Sequence, residues 1–482
     1  MPEPTTRPAD TTLGELRATG WRSRTVKEEL RGNLLQRIRE DLPFMPGILG
    51  YDETVLPQLE NALLAGQDVI LLGERGQAKS RIARTLTGLL DPWLPYVKGT
   101  ELHDDPMKPV SPLAKTIVAE EGDNTPIGWW AASDRYSEKL ATPDISIADL
   151  IGEVDPVKVA EGRYLSDELT IHYGLLPRTH RGIFALNELP DLAERIQVGL
   201  LNVMEERDVQ VRGYRVRLEL DLFVIASANP EDYTSRGRII TPLKDRFGAQ
   251  IRTHYPEEAA IEIAIMEAEG AIFDDSSGAD AGVSGSGSVS VQVPAFMKEI
   301  VAELSQLARR SSEVSQRSGV SVRVTIANHE TLVAAALKRA VRLGEPVAAP
   351  RVSDLGAVVA STAGKIELET LGDETREDKV IEKLVQRAVV NVFNRHFSLS
   401  ELVPLVERFE AGAEAEVGEL VTSESLQHLV AELPELSRAV ARLDLGESPA
   451  GVASGVEFVL EGLHLNRRLN KERRGGGVRY AR

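Results

Sequence analysis

The stretch Gly73-Glu74-Arg75-Gly76-Gln77-Ala78-Lys79-Ser80 decides the fold. An apolar run, Val69-Ile70-Leu71-Leu72, precedes it and a helix-competent run, Arg81-Ile82-Ala83-Arg84-Thr85-Leu86, follows, so the local reading is buried strand, glycine loop, helix. That order is the layout of a phosphate-binding loop. Successive backbone N–H groups at the start of the helix can wrap a polyphosphate, Lys79 adds a positive charge, and the Ser80 hydroxyl can ligate Mg2+. One letter departs from the G-x-x-x-x-G-K-[ST] pattern. Ala78 stands where the second glycine belongs, and its methyl group restricts the backbone and crowds the phosphates.

Two further apolar runs end in polar residues. Gly182-Ile183-Phe184-Ala185-Leu186 leads into Asn187-Glu188, and Leu222-Phe223-Val224-Ile225-Ala226 leads into Ser227-Ala228-Asn229-Pro230. Strands that alternate with helical patterns imply a parallel sheet covered on both faces, and ligands of such sheets sit at the carboxyl ends of the strands. A nucleotide hydrolase needs an acid there to hold Mg2+ and a carboxylate to orient the attacking water. Glu188 is the candidate general base. Asn187 stands where an aspartate is usual; its amide can accept a hydrogen bond from a Mg2+-bound water but brings no charge, which weakens the hold on the metal. Asn229 is placed to meet the γ-phosphate or the lytic water, although Asn-Pro by itself is only a turn signal. Arg246, in Pro242-Leu243-Lys244-Asp245-Arg246-Phe247-Gly248, reads alone as a surface ion-pair residue; beside the other motifs it can neutralise charge on the γ-phosphate of a neighbouring subunit.

The order of these motifs resembles the AAA+ ATPases, and within them the magnesium-chelatase ATPase subunit and its MoxR relatives. The distinctive block is Asp149-Leu150-Ile151-Gly152-Glu153-Val154-Asp155 followed by Gly174-Leu175-Leu176-Pro177-Arg178-Thr179-His180-Arg181-Gly182 and Asn187-Glu188-Leu189. The resemblance covers residues 41–255 well and the following lid loosely. It implies an α/β P-loop core with a parallel sheet covered by helices on both faces, a helical lid and a C-terminal helical extension. It further implies ATP and Mg2+ as cofactors, with ATP bound between core and lid, and an insertion at 156–173 that projects towards a pore or partner. A sensor arginine in the lid is best matched by Arg323 in Ser321-Val322-Arg323. A homo-oligomeric ring, most simply a hexamer, would let Arg246 act in trans, and a partner bearing a von Willebrand factor A domain is the further suggestion. Arg236 and Arg238 are extra cations beside the presumed subunit interface.

The expected organisation is an N-terminal tail and docking helix over 1–40, the core over 41–255, the lid over 256–372 with a Ser/Gly-rich flexible loop at 273–291, a helical extension over 373–466, and a tail over 467–482. From Arg467 to Arg482 seven Lys/Arg stand against one Glu, a local charge of +6 that reads as basic and disordered. The 482 residues suffice for two or three cores, and a net charge of −18 argues against duplex nucleic acid or an anionic membrane as the main partner. The chain has no cysteine, which removes disulfides, thiolate catalysis and Cys-ligated metals, and no long apolar run; a cytoplasmic protein is expected. His103 beside Asp104-Asp105 reads as solvated surface, His172 and His180 lack ligand spacing, and Trp129-Trp130 reads as buried rather than as a nucleobase platform. Two other functions share this core. One is a nucleotide-binding assembly scaffold with little hydrolysis, favoured by Ala78 and Asn187; the other is an ATP-driven transcription activator, although no Gly-Ala-Phe-Thr-Gly-Ala-like loop occurs.

Overall fold

The alternation of side chains along a few short strands fixes two apolar faces, and helices cover both. In the computed structural model these strands are β1 (Val69–Leu72), β2 (Tyr136–Leu140), β3 (Gly182–Asn187), β4 (Leu222–Ala228) and β5 (Ala249–Arg252). They form one parallel sheet in the order β5-β1-β4-β3-β2. Residues 6–154, 171–205, 209–211, 214–216, 218–229, 238–271, 289–315, 319–368, 374–474 and 477–482 are described. The chain divides into two compact units, Met1–His254 and Tyr255–Arg482.

Within the first unit, Val69, Leu71, Ile183, Ala185, Phe223, Ile225 and Ile251 face one core, while Ile70, Phe184, Leu186, Val224 and Ala226 face the other. Period-two alternation in a sheet buried on both sides produces this split. Three helices serve the first face: α1 (Val26–Arg39), α2 (Val55–Leu64) and α3 (Lys79–Thr85), the last leaving the glycine loop. The second face is covered by α4 (Glu194–Glu205) and α5 (Thr241–Arg246).

The N-terminal helix α1 begins at a capping box, Thr25 with Glu28, and buries Val26, Leu30 and Leu34 in the same core as β1. It is pinned there by Glu29, whose carboxylate meets the Arg135 guanidinium at 2.6 Å with both side chains buried. Arg135 also donates to the Arg181 carbonyl at 3.0 and 2.7 Å. Removing one partner of such a buried pair costs about 3–5 kcal/mol, because it strands the other charge. The helix expected to dock the N-terminus is therefore built into the sheet's own core.

The second unit holds α6 (Ala259–Glu269), α7 (Ala295–Arg310), α8 (Val322–Leu343), α9 (Glu374–His396) and α10 (Pro449–Leu465). One hydrophobic core runs through it from Met266 through Phe296, Ile381 and Phe393 to Phe458, Leu469 and Tyr480. Phe296 stacks on Phe458 at 4.2 Å, and Phe393 meets Phe458 edge-on at 5.8 Å. The stretches assigned to lid, extension and tail thus share one core.

The tail corrects the expectation of disorder. A three-stranded antiparallel sheet joins β6 (Ala415–Val417), β7 (Asn470–Arg474) and β8 (Gly477–Ala481), with β8 in the middle. Charge counting misled because three of the positive charges have partners on other segments: Lys471 meets Glu461 at 2.7 Å, and Arg479 and Arg482 pair with Glu414 and Glu410. Tyr480, only 2% exposed, anchors the strand with its hydroxyl donated to Glu461. The loop placed at 273–291 ends in order too, since Ser290–Val291 pairs with Val347–Ala348; residues 272–288 lie outside the described residues. So do 156–170 of the expected insertion, whose last residues, Ile171–Tyr173, pair with Gly152–Val154.

Candidate functional site

The glycine loop leaves β1 and turns back on itself before α3. Gly76 has φ 75°, and Ala78, the residue ahead of the helix, sits at φ 55°, ψ 13°. Both are left-handed. A glycine at 78 would adopt that conformation freely, whereas an alanine pays roughly 1–2 kcal/mol for it. Gly73 is required for another reason: a Cβ there would sit inside the Thr253 hydroxyl and the Gln77 side-chain oxygen. Those two groups lock the loop, Thr253 Oγ1 donating to Gln77 Oε1 at 2.7 Å while the Glu74 amide donates to the same oxygen at 3.1 Å. The Tyr51 hydroxyl, with one proton to donate, lies within hydrogen-bond reach of both the Gln77 and His254 carbonyls, at 3.0 and 2.9 Å.

Lys79 is 8% exposed and its ammonium lies within the loop, donating to the Gly73 and Glu74 carbonyls, the latter at 2.8 Å. The Gly73 amide donates to the Ala228 carbonyl at 3.1 Å, which ties the loop to the end of β4 just before Asn229. Arg75 is the exposed residue at the loop's tip.

Beside the loop, the strand ends carry a polar cluster. On β3 and β4 the positions 183, 185 and 223, 225 face the core under α3, so Asn187 and Ser227 point the same way. Asn187 Oδ1 accepts from Ser80 Oγ at 3.4 Å and from Ser227 Oγ at 3.1 Å, and Ser227 Oγ accepts from the Glu188 amide at 3.3 Å. The other end of the Asn187 amide, Nδ2, donates to Glu138 Oε1 at 2.5 Å. Glu138 Oε2 in turn accepts from Arg84 Nε at 2.8 Å and the Tyr136 hydroxyl at 3.2 Å. Burial, with Glu138 beside it, pushes the Tyr136 phenol well above its usual range, so it stays a hydrogen-bond donor. Glu188 takes a left-handed turn, φ 54°, which redirects the chain straight after β3.

Asn229 is 7% exposed, and its side-chain oxygen has no hydrogen-bond partner among the described residues. A buried acceptor left unpaired is costly, so the position suits a group that arrives with a ligand. Loop amides, a lysine, a serine hydroxyl, an asparagine oxygen and this unpaired amide form a donor and acceptor set that fits a polyphosphate with Mg2+.

The remaining candidates belong to other elements. Arg246 ends α5 and is ion-paired with Glu205 at the end of α4, both partly exposed. Arg238 is exposed, its carbonyl accepting from Gln197 Nε2 at 3.0 Å; Arg236 lies outside the described residues. Arg323 belongs to the second unit, exposed in the first turn of α8, where its amide donates to Ser321 Oγ at 3.1 Å.

Two of the histidines pack within the first unit. His103 stacks on Trp130 at 4.1 Å, and burial holds His180 neutral, with its pKa down at about 3 and its Nδ1 accepting from the Asp221 amide at 3.0 Å. No cluster of three or more His, Asp or Glu side chains suited to a metal occurs among the described residues. Sequence reading missed Glu138, because Tyr136-Ser137-Glu138-Lys139-Leu140 lacks an apolar run and its strand becomes visible only through pairing with β3. It also missed Ser227 and the Gln77–Thr253 lock, which join residues distant in sequence.

The loop after β1, Asn187-Glu188 at the end of β3 and Asn229 after β4 all lie at the carboxyl ends of parallel neighbouring strands. A family model described as the Sigma-54 interaction domain matches residues 161–245. The first unit has an α/β P-loop fold, its parallel sheet covered by helices on both faces. Solved structures similar to the chain include NtrX from Brucella abortus, at 17% identity over 74% of this chain with a TM-score of 0.39; the chain spans 66% of that structure's length. NtrX in complex with ATP gives 16% identity, 83% of this chain, 72% of the other and a TM-score of 0.40. A model of the complex between subunits BchI and BchD of magnesium chelatase gives 19% identity, 70% of this chain, 98% of the other and a TM-score of 0.35. At such identities and TM-scores no function follows from them. Among the described residues no helix of either unit is long and apolar enough to cross a membrane.

Proposed function

We propose that the first unit binds ATP with Mg2+ and hydrolyses it, and that the protein works as a ring-forming AAA+ ATPase that remodels or activates a partner protein. The convergence of Ser80, Asn187 and Ser227 beside the Lys79 loop carries this reading, with Asn229 following at the next strand end. In it, the loop amides and Lys79 hold the phosphates, and Ser80 with Asn187 holds the metal or its water shell. Bound Mg2+ supplies the neutralisation of charge on the phosphate oxygens. Glu188 accepts the proton of the attacking water, and Asn229 orients that water or the γ-phosphate. Arg246 leaves Glu205 to reach a neighbouring subunit's nucleotide, which is why a ring, most simply a hexamer, belongs to the proposal. Arg323 senses nucleotide from the second unit. The resemblance to magnesium-chelatase and MoxR proteins makes a von Willebrand factor A-domain protein the partner to try first.

Glu188→Gln is the test: ATP binding persists while phosphate release drops by about a hundredfold or more, the range that a general base contributes. An unchanged hydrolysis rate sinks the assignment. A second reading, an ATP-driven transcription activator, takes its support from the Sigma-54 interaction domain match over 161–245. The absence of a Gly-Ala-Phe-Thr-Gly-Ala-like stretch weighs against it, and ATP-dependent binding to sigma-54 separates the two.

A further inference from the structure

Position 187 is neutral in a place where a nucleotide hydrolase gains from a carboxylate, and the residue that touches it is a glutamate on the next strand. We propose that Glu138 is the positioning carboxylate of this site: it fixes the orientation of the Asn187 amide and supplies the negative charge that Asn187 lacks. The inference rests on the nucleotide-binding reading above and deepens it.

Strand β2 runs parallel to β3 with Glu138 opposite Ala185 and Leu140 opposite Asn187, so Glu138 lies on the face that Ala185 and Asn187 share, one pleat back. Its carboxylate reaches forward to Asn187 Nδ2 at 2.5 Å. An ionised carboxylate only accepts hydrogen bonds, so the amide must present its NH2 to Glu138, and Oδ1 is thereby forced towards Ser80 and Ser227. Without that constraint the two ends of the amide are nearly interchangeable, because the serine hydroxyls can accept as well as donate. Glu138 is itself held on its second oxygen by Arg84 and Tyr136, and its side chain is 21% exposed. The chain from Arg84 through Glu138 and Asn187 to Ser80 thus begins and ends on α3, whose first turn follows the phosphate loop. Partners one step removed from a metal ligand typically change its affinity by about 10–100-fold when lost.

This pairing also predicts that an aspartate does not fit position 187 as the chain stands. It would bring two acceptor-only groups together across the present 2.5 Å contact, with no proton to share. Asparagine with glutamate, and aspartate with glutamine, are the two complementary ways of filling the pair.

The test uses the full chain and fluorescent N-methylanthraniloyl-ATP, titrated with Mg2+ and compared with binding in EDTA, together with melting temperatures in EDTA. Glu138→Gln should raise the Mg2+ concentration for half-maximal binding by about tenfold or more while leaving binding in EDTA unchanged. Asn187→Asp alone should melt below wild type in EDTA. The exchanged pair, Glu138→Gln with Asn187→Asp, should regain that melting temperature and bring the Mg2+ requirement back to within about threefold of wild type, a residual near 0.6 kcal/mol. A Mg2+ requirement unmoved by Glu138→Gln, or an exchanged pair that recovers nothing, overturns the proposal and reduces the Glu138–Arg84 contact to a surface ion pair. If Glu138→Gln does not fold, Asn187→Asp decides alone: a wild-type melting temperature in EDTA overturns the pairing. Wild-type protein that binds no nucleotide with or without Mg2+ brings down the nucleotide reading itself and this inference with it, an outcome distinct from binding without coupling.

Discussion

The phosphate loop and the strand-end cluster beside it are built in opposite ways. The loop is eight consecutive residues whose hydrogen bonds close mostly on themselves, Lys79 to the Gly73 and Glu74 carbonyls and Gln77 to the Glu74 amide, with Thr253 and Tyr51 as outside struts. The cluster has no consecutive core. Glu138, Asn187 and Ser227 come from β2, β3 and β4, and they meet because parallel register puts them on one face. A loop of the first kind depends on each residue's own backbone geometry. A cluster of the second kind depends on the sum of what neighbours supply, so a charge absent at one position can be carried by another strand.

If that contrast is right, single changes in the loop are not rescued from elsewhere. Lys79→Ala has the largest expected effect. It removes a nearly buried cation whose partners are loop carbonyls, and nucleotide affinity should fall by about 2–5 kcal/mol, the range for truncating one member of a buried charged contact. Equilibrium binding of N-methylanthraniloyl-ATP measures it, and a change below tenfold would remove Lys79 from the phosphate site. Gly73→Ala comes next. Its new methyl must displace Thr253 and Gln77, breaking their 2.7 Å bond, and overpacking of this kind costs about 1–3 kcal/mol in denaturant unfolding. A variant as stable as wild type would mean that the lock does not hold the loop.

The same contrast explains what was legible in the sequence. The apolar runs ending at Leu72, Leu186 and Ala226 announced three sheet strands, and the polar residues after them announced the edge where a ligand belongs. Glu138 carried no such signal, since its strand, at the edge of the sheet, has three polar residues in a row, Ser137-Glu138-Lys139, and owes its place to pairing with β3. In the second unit, helical spacing was readable but the division into lid, extension and tail was not. Phe458 and Tyr480 fill a core with Phe296 and Phe393, contacts between segments far apart in sequence that leave no mark in any one of them. Composition misjudged the tail for a related reason: net charge was counted, but the glutamates that offset it lie on other segments.

The smallest expected effect bears on the residue that departs from the loop pattern. At φ 55° Ala78 pays for a left-handed conformation that glycine adopts without penalty. Ala78→Gly removes that penalty of roughly 1–2 kcal/mol but lets the unfolded chain gain backbone freedom worth about 0.4–1 kcal/mol. The two terms oppose each other, and the net should be a stabilisation of about 1 kcal/mol or less. The sign is the informative part. An alanine in a right-handed helix interior would show the reverse, a loss of about 1 kcal/mol on replacement by glycine. Denaturant unfolding of Ala78→Gly therefore separates a strained loop residue from the first residue of an ordinary helix. A destabilised variant would place position 78 in the right-handed helix and end the contrast at its sharpest point, because the loop would then tolerate alanine by changing its backbone.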